Sequence, residues 1–244
     1  MRVSEAWLEF GGVRSTDIGV LMREEPVITA PVMRVTSNTA VPGRSGKLII
    51  TDGCFEPVTV TVKLITAENA NMQAVRSWLC GYGDLVLGDM PGYKFVNAHI
   101  VKDFKYQYKM RSTCAEIEVA WQCDPFREMV NEPRVITTRS GYRFAGMGGM
   151  TAHPTVVIEG MASDVTVSIN GMEMSVALEN NIPLYIDCDN KLAYKYNALG
   201  EMVYAGDQVE LTGGDWYELT PDSNSITFGT GVDRVTLIPH WRYF

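Results

Sequence analysis

Through much of the first half of the chain, apolar and polar residues alternate with a period of two. Val58, Val60, Val62 and Leu64 alternate with Thr59, Thr61 and Lys63, the pattern of a strand with one buried face. The same alternation predicts two further long strands. Val96, Ala98, Ile100, Phe104, Tyr106 and Tyr108 share one face, broken only by Lys102, and Ala115, Ile117, Val119 and Trp121 share another. One segment changes period: Met72, Val75, Trp78 and Leu79 fall on a single helical face. This predicts one helix over about 67–80, with Thr66 capping its start and Gly81 as a left-handed terminating residue.

Between Pro26 and Pro57 two β-rich stretches, 27–40 and 48–55, flank Val41-Pro42-Gly43-Arg44-Ser45-Gly46-Lys47. Proline and glycine form the tip of a hairpin too long for an ordinary connection. A plain surface hairpin is one reading; a protruding arm that contacts another chain is the other. Val41, Pro42, Gly43, Arg44, Ser45, Gly46, Lys47 and Leu48 are therefore the candidate subunit-interface residues.

Asp124-Pro125-Phe126-Arg127-Glu128-Met129-Val130-Asn131-Glu132-Pro133 interrupts the alternation with two prolines and marks a boundary between domains 1–128 and 134–244. The second domain holds a sharp hairpin signal. Val165, Val167 and Ile169 lead to Asn170-Gly171, which suits a type I′ turn, and Met172, Met174 and Val176 follow. Shorter strands are expected around 184–186, 191–196, 216–219, 226–228 and 235–238. Pro239 ends the last ladder, and Trp241-Arg242-Tyr243-Phe244 is too aromatic for a frayed tail. The expectation is that this terminus closes the second domain and buries Trp241. The fold class is thus mainly β: two β-sandwich domains, the first with one helix and a protruding hairpin.

Composition narrows the function. The 244 residues are 46% hydrophobic and 20% charged, as in an ordinary folded protein. No apolar run approaches the ~18 residues of a membrane span. Met1-Arg2-Val3-Ser4-Glu5-Ala6-Trp7 has no signal-peptide character, so the expected setting starts from the cytosol. Five scattered cysteines, Cys54, Cys80, Cys114, Cys123 and Cys188, read as reduced hydrophobes rather than a disulfide framework. Net charge is −8. Through Glu128 there are 14 basic against 15 acidic residues, and afterwards 7 against 14. Neither half offers the basic face that wrapping nucleic acid requires.

Candidate chemistry is sparse. His99, His153 and His240 stand in no metal-ligand spacing. Asp187-Cys188-Asp189-Asn190 lacks the glycine and distal glutamate of a calcium loop. Gly146-Met147-Gly148-Gly149 lacks the Lys-Ser/Thr of a phosphate loop, and no serine sits in a Gly-x-Ser-x-Gly elbow. Glu116 and Glu118 fall on the solvated face of a strand. No catalytic residue, metal or cofactor is expected. A second reading is a carbohydrate-binding adhesion module with Trp216, Tyr217 and Trp241 as stacking platforms, although aromatics of small sandwiches are more often core.

Several local phrases, in order, resemble the distal tail protein (Dit) family of long-tailed phages with flexible tails. They are Leu8-Glu9-Phe10-Gly11-Gly12-Val13, Val41-Pro42-Gly43-Arg44-Ser45-Gly46-Lys47-Leu48, the Met72–Leu79 helix and Gln122-Cys123-Asp124-Pro125-Phe126. Val167-Ser168-Ile169-Asn170-Gly171, Asp222-Ser223-Asn224-Ser225-Ile226 and Ile238-Pro239-His240-Trp241-Arg242-Tyr243 complete the series. The resemblance implies a first sandwich related to tail-tube subunits, with a belt hairpin over about 26–57 that reaches a neighbouring copy. Six copies would form a ring at the distal end of a virion tail, assembled in the host cytoplasm. The ring would join the tail tube protein to tail-tip or baseplate hub proteins around a channel through which DNA passes. The second domain would be galectin-like, but it lacks the His-x-Asn-x-Arg and Trp-x-x-Glu sugar-contact phrases of true galectins.

Overall fold

The computed structural model describes residues 6–40, 42–43, 45–68, 70–108 and 114–244. The chain divides into two compact units, one running to Val130 and including Phe244, the other Asn131–Tyr243.

In the first unit an antiparallel sheet runs in the order Val13–Arg14, Leu8–Phe10, Tyr82–Leu87, Tyr93–Ile100, Ala115–Cys123, Val58–Thr66, Val20–Met22. Val27–Ile28, Lys105–Tyr108 and Arg127–Met129 attach beside this path. Phe10, one strand in from one end of the path, and Met22, on the strand at the other end, share one core, so the sheet curls around its buried face. The alternation read along Val58–Thr66 is realised: Val58, Val60, Val62 and Leu64 are buried against Ile117, Val119 and Trp121 of the paired strand.

The α-helix Met72–Leu79 inserts Val75 and Leu79 into this core. Its Trp78 indole donates to the Phe10 carbonyl at 3.0 Å, while the Phe10 ring meets Trp78 and Trp121 edge-on. Both expected helix terminators differ. Asn71, not Thr66, caps the start, its side chain accepting from the Gln73 and Ala74 N–H groups. Thr66 is the buried last residue of a strand, and its hydroxyl accepts from the Ala115 N–H at 2.8 Å. At the other end Cys80 closes the helix at φ −78°, and Gly81 takes no left-handed conformation.

The long strand expected across 96–108 is two strands, Tyr93–Ile100 and Lys105–Tyr108. Asn97, at φ +54°, adds one residue against the Gly83–Leu85 partner, forming a β-bulge. The pleat therefore changes phase. Phe95 and Ala98, three apart, both face the core, and Ile100 and Phe104 pack against it as expected; Tyr106 and Tyr108, on the separate second strand, are exposed.

The second unit stacks two antiparallel sheets over one core. The first runs Val135–Thr137, Val232–Ile238, Thr155–Gly160, Leu184–Asp187, Leu192–Tyr196, Met202–Tyr204, and the second Tyr142–Ala145, Ser223–Phe228, Ala162–Ile169, Met172–Leu178, Val209–Leu211. Asn170 (φ +54°) and Gly171 (φ +84°) make the tight turn that sets Ile169 opposite Met172. The Asn170 side chain ties this turn to its surroundings, donating to Asn224 Oδ1 and the Glu218 carbonyl and accepting from the Ser225 N–H. Trp241 lies in the core at 1% exposure, and the Glu132 carboxylate accepts from the His240 and Trp241 backbone N–H groups. The protein is mainly β, with a single α-helix among the described residues.

Candidate functional site

Met33–Ala40 and Lys47–Phe55 form the arm. Among the described residues they pair only with each other, in a two-stranded sheet. Ala40 lies opposite Lys47 and Thr39 opposite Leu48, and the register slips twice towards the base, on either side of Val35. Local chemistry holds the ribbon together. Arg34 pairs with Asp52, with Nε 2.9 Å from Oδ2, and the Thr36 hydroxyl donates to the Ile50 carbonyl. That guanidinium, with the Cys54 N–H on the other carboxylate oxygen, holds the Asp52 carboxyl below the usual carboxylate range. Gly53 at φ +77° supplies the kink that this Asp-Gly step needs.

At the tip, Gly43 and Gly46 take positive φ angles of 81° and 89°. Pro42, Gly43, Ser45, Gly46, Lys47 and Leu48 are exposed. Val41 and Arg44 lie outside the described residues. Leu48 and Ile50 occupy one face of the ribbon and Ile49 the other, and all three are exposed, Ile49 at 61%. Val35 and Met33 add to this apolar surface. At the root, Phe55 meets Phe126 edge-on with ring centroids 5.0 Å apart. A two-stranded ribbon is marginally stable alone, and apolar groups on both faces with open strand edges suit contact with another chain.

The remaining candidate groups make local polar contacts within their own surroundings. His153 Nδ1 is 2.9 Å from Asp189 Oδ1 and its Nε2 is 3.5 Å from Glu218; Arg242 reaches the same Asp189 oxygen at 2.7 Å. The hydrogen bond from His153, aided by Arg242, lowers the Asp189 carboxyl. His240 Nε2 is 3.1 Å from the Thr155 hydroxyl, and His99 is exposed beside an open cleft of about 700 Å³ lined by Leu79, Tyr82 and Phe104. Asp187 accepts from the Asp189 and Asn190 N–H groups, so Asp187–Asn190 is a polar turn. Among the described residues no group of His, Cys, Asp and Glu could hold a metal ion.

Two of the proposed sugar platforms are core residues. Tyr217 is fully buried with its hydroxyl on the Val167 carbonyl, and Trp241 lies beside it in the same cluster. An aromatic row lies elsewhere: exposed Tyr204 stands opposite half-buried Tyr194, which in turn stands opposite half-buried Tyr185, across three neighbouring strands. The period-two spacing of Tyr194 and Tyr196 was its visible signal.

No protein-family model matches the chain, and no curated protein does. Among solved structures it is similar to phage SPP1 Dit (gp 19.1), described as a paradigm of the hub adsorption apparatus in phages that infect Gram-positive bacteria. The two agree with a TM-score of 0.68 and 13% identity, over 95% of this chain and 97% of that one. The fold of this chain is that of SPP1 Dit.

Proposed function

We propose that this chain is a distal tail protein, a structural component of a phage tail. Six copies form a closed ring at the distal end of the tail, in the assembled virion. The ring joins the tail tube protein to tail-tip or baseplate hub proteins and surrounds the channel through which DNA passes. Residues 1–128 form the ring and 134–244 a galectin-like appendage, without turnover, metal or cofactor. The likeness to SPP1 Dit along almost the whole chain supports the fold-level part of this reading.

The observation that carries the assembly is the arm, a ribbon that among the described residues pairs only with itself and is apolar on both faces. A head-to-tail contact that closes by rotation gives a ring, and an arm reaching the next copy supplies such a contact. A near-neutral first half, 14 basic against 15 acidic residues, suits a passage that DNA traverses without sticking. Negative-stain electron microscopy of the purified chain, alone and with the tube or hub protein of its own phage, is the test. Six-fold rings in either sample are expected. Monomers at every concentration, in both samples, would overturn the reading.

A further inference from the structure

The hairpin formed by Leu192–Tyr196 and Met202–Tyr204 ends the six-stranded sheet, and nothing pairs with its outer strand among the described residues. Five large apolar side chains within nine residues are exposed there: Tyr196, Leu199 (82%), Met202, Val203 and Tyr204 (69%). Lone exposed apolar residues need no explanation, but a contiguous set on an open edge marks an interaction surface.

The backbone geometry defines what fits. Ala205 donates to the Ala193 carbonyl and Asn197 to the Glu201 carbonyl. Hydrogen-bonded pairs alternate along an antiparallel ladder, so Val203 bonds inward to Lys195, and the N–H and C=O groups of Met202 and Tyr204 face the open side. The strand carries none of the lysine, proline or bulge that blunts an edge. A Cβ at Gly206 would lie 1.9 Å from the Tyr204 phenolic oxygen, so any larger residue there displaces this ring. Tyr185 and Tyr194 stack on each other at 5.2 Å, and Tyr196 meets both edge-on. Their ring faces are largely taken up by one another, which disfavours a sugar and favours a side chain packed against the row.

Charge selects the partner. Glu201 and Asp207 flank the strand and are exposed, as is Lys191 just ahead of the neighbouring strand; Glu210 is exposed on the strand that follows, and Lys195 is committed to Glu179. The second half holds 7 basic against 14 acidic residues, so charge disfavours a second copy of this unit and favours a basic partner. We propose that Met202–Tyr204 is a docking edge for an extended apolar segment, bearing lysine or arginine, of a different polypeptide, which adds as a further strand beside it. Its main-chain bonds go to Met202 and Tyr204, and its basic side chains meet the acidic rim. This surface is independent of the arm and of ring closure.

The test uses the full chain and a fluorescein-labelled peptide of about ten alternating lysine and valine residues, read by anisotropy and by amide hydrogen exchange. The peptide is expected to bind saturably and to slow exchange at Met202 and Tyr204 but not at Val135–Thr137. A glutamate–valine peptide should bind roughly tenfold more weakly. Met202→Pro removes an outward N–H without touching the bonds to Leu192–Tyr196, and Gly206→Ala displaces the Tyr204 ring. Each should weaken binding by roughly tenfold with unchanged circular dichroism. If Met202→Pro does not fold, Tyr204→Ala takes its place. Equal binding of both peptides, protection at another edge, or binding of chitohexaose that Tyr204→Ala abolishes without any peptide binding would overturn the proposal.

Discussion

Trp241 carries more of the second unit than any other side chain near the end of the chain. It is buried beside Tyr217 and Leu237, and Glu132 holds the backbone on either side of it. Trp241→Ala should cost about 3–5 kcal/mol, a large share of a domain's stability. Calorimetry should show the second unit melting markedly earlier and the first nearly as before. Burial also sorts the cysteines. It pushes the thiols of Cys123 and Cys188 up to about 12, whereas Cys54 and Cys80 are exposed. At pH 8 a disulfide reagent should label Cys54 and Cys80 in the native protein, and Cys123 and Cys188 only after denaturation. Asp189 is held below its ordinary value by His153 and Arg242, so its ionised form stabilises the fold above the unfolded pKa of about 4. That contribution is lost as pH falls through the lowered folded value. Acid titration of Asp189→Asn should show a shallower loss of stability than the parent below about pH 4.

Elements were legible where one rule governed them. Val58–Thr66 and Ala115–Cys123 follow period two because each has one face on the core and no bulge interrupts them. Across 93–108 the same rule misled, since the insertion at Asn97 flips the pleat and no single residue type announces a bulge. At the helix, Thr66 and Asn71 are both competent caps by type, and only tertiary structure distinguishes them. Asn71→Ala should cost about 1 kcal/mol as a lost cap. Thr66→Ala should cost about 1–3 kcal/mol, because it strips the Ala115 N–H of its partner in a buried setting. Denaturant melts of the two variants check this order. The hairpin was legible through its prolines and glycines; that the run Leu48-Ile49-Ile50 is exposed on both faces emerged only from the structure. Deleting 41–48 should abolish rings in the micrographs while leaving the circular dichroism of both units unchanged; rings that persist would reduce the arm to a surface hairpin.

Across the whole molecule, many short alternating strands and a helix of two turns sufficed to place the class, because alternation constrains which positions are apolar and little else. That latitude is why a fold can be kept at 13% identity while individual contacts are replaced. The function proposed above was less legible, since a surface that meets another chain carries no motif of the kind that marks a catalytic or metal site. The topology of the second unit also has a consequence for the order in which the protein matures during synthesis. Its sheet places Val232–Ile238 between Val135–Thr137 and Thr155–Gly160, with Val135 opposite Leu237. The first strand of this unit therefore waits about a hundred residues for its neighbour. Every strand of the large first sheet, by contrast, is available once Met129 has left the ribosome. A nascent chain paused in between would hold a first unit complete but for Phe244, followed by an open half-sandwich. Any truncation upstream of Val232 would fix it in that state.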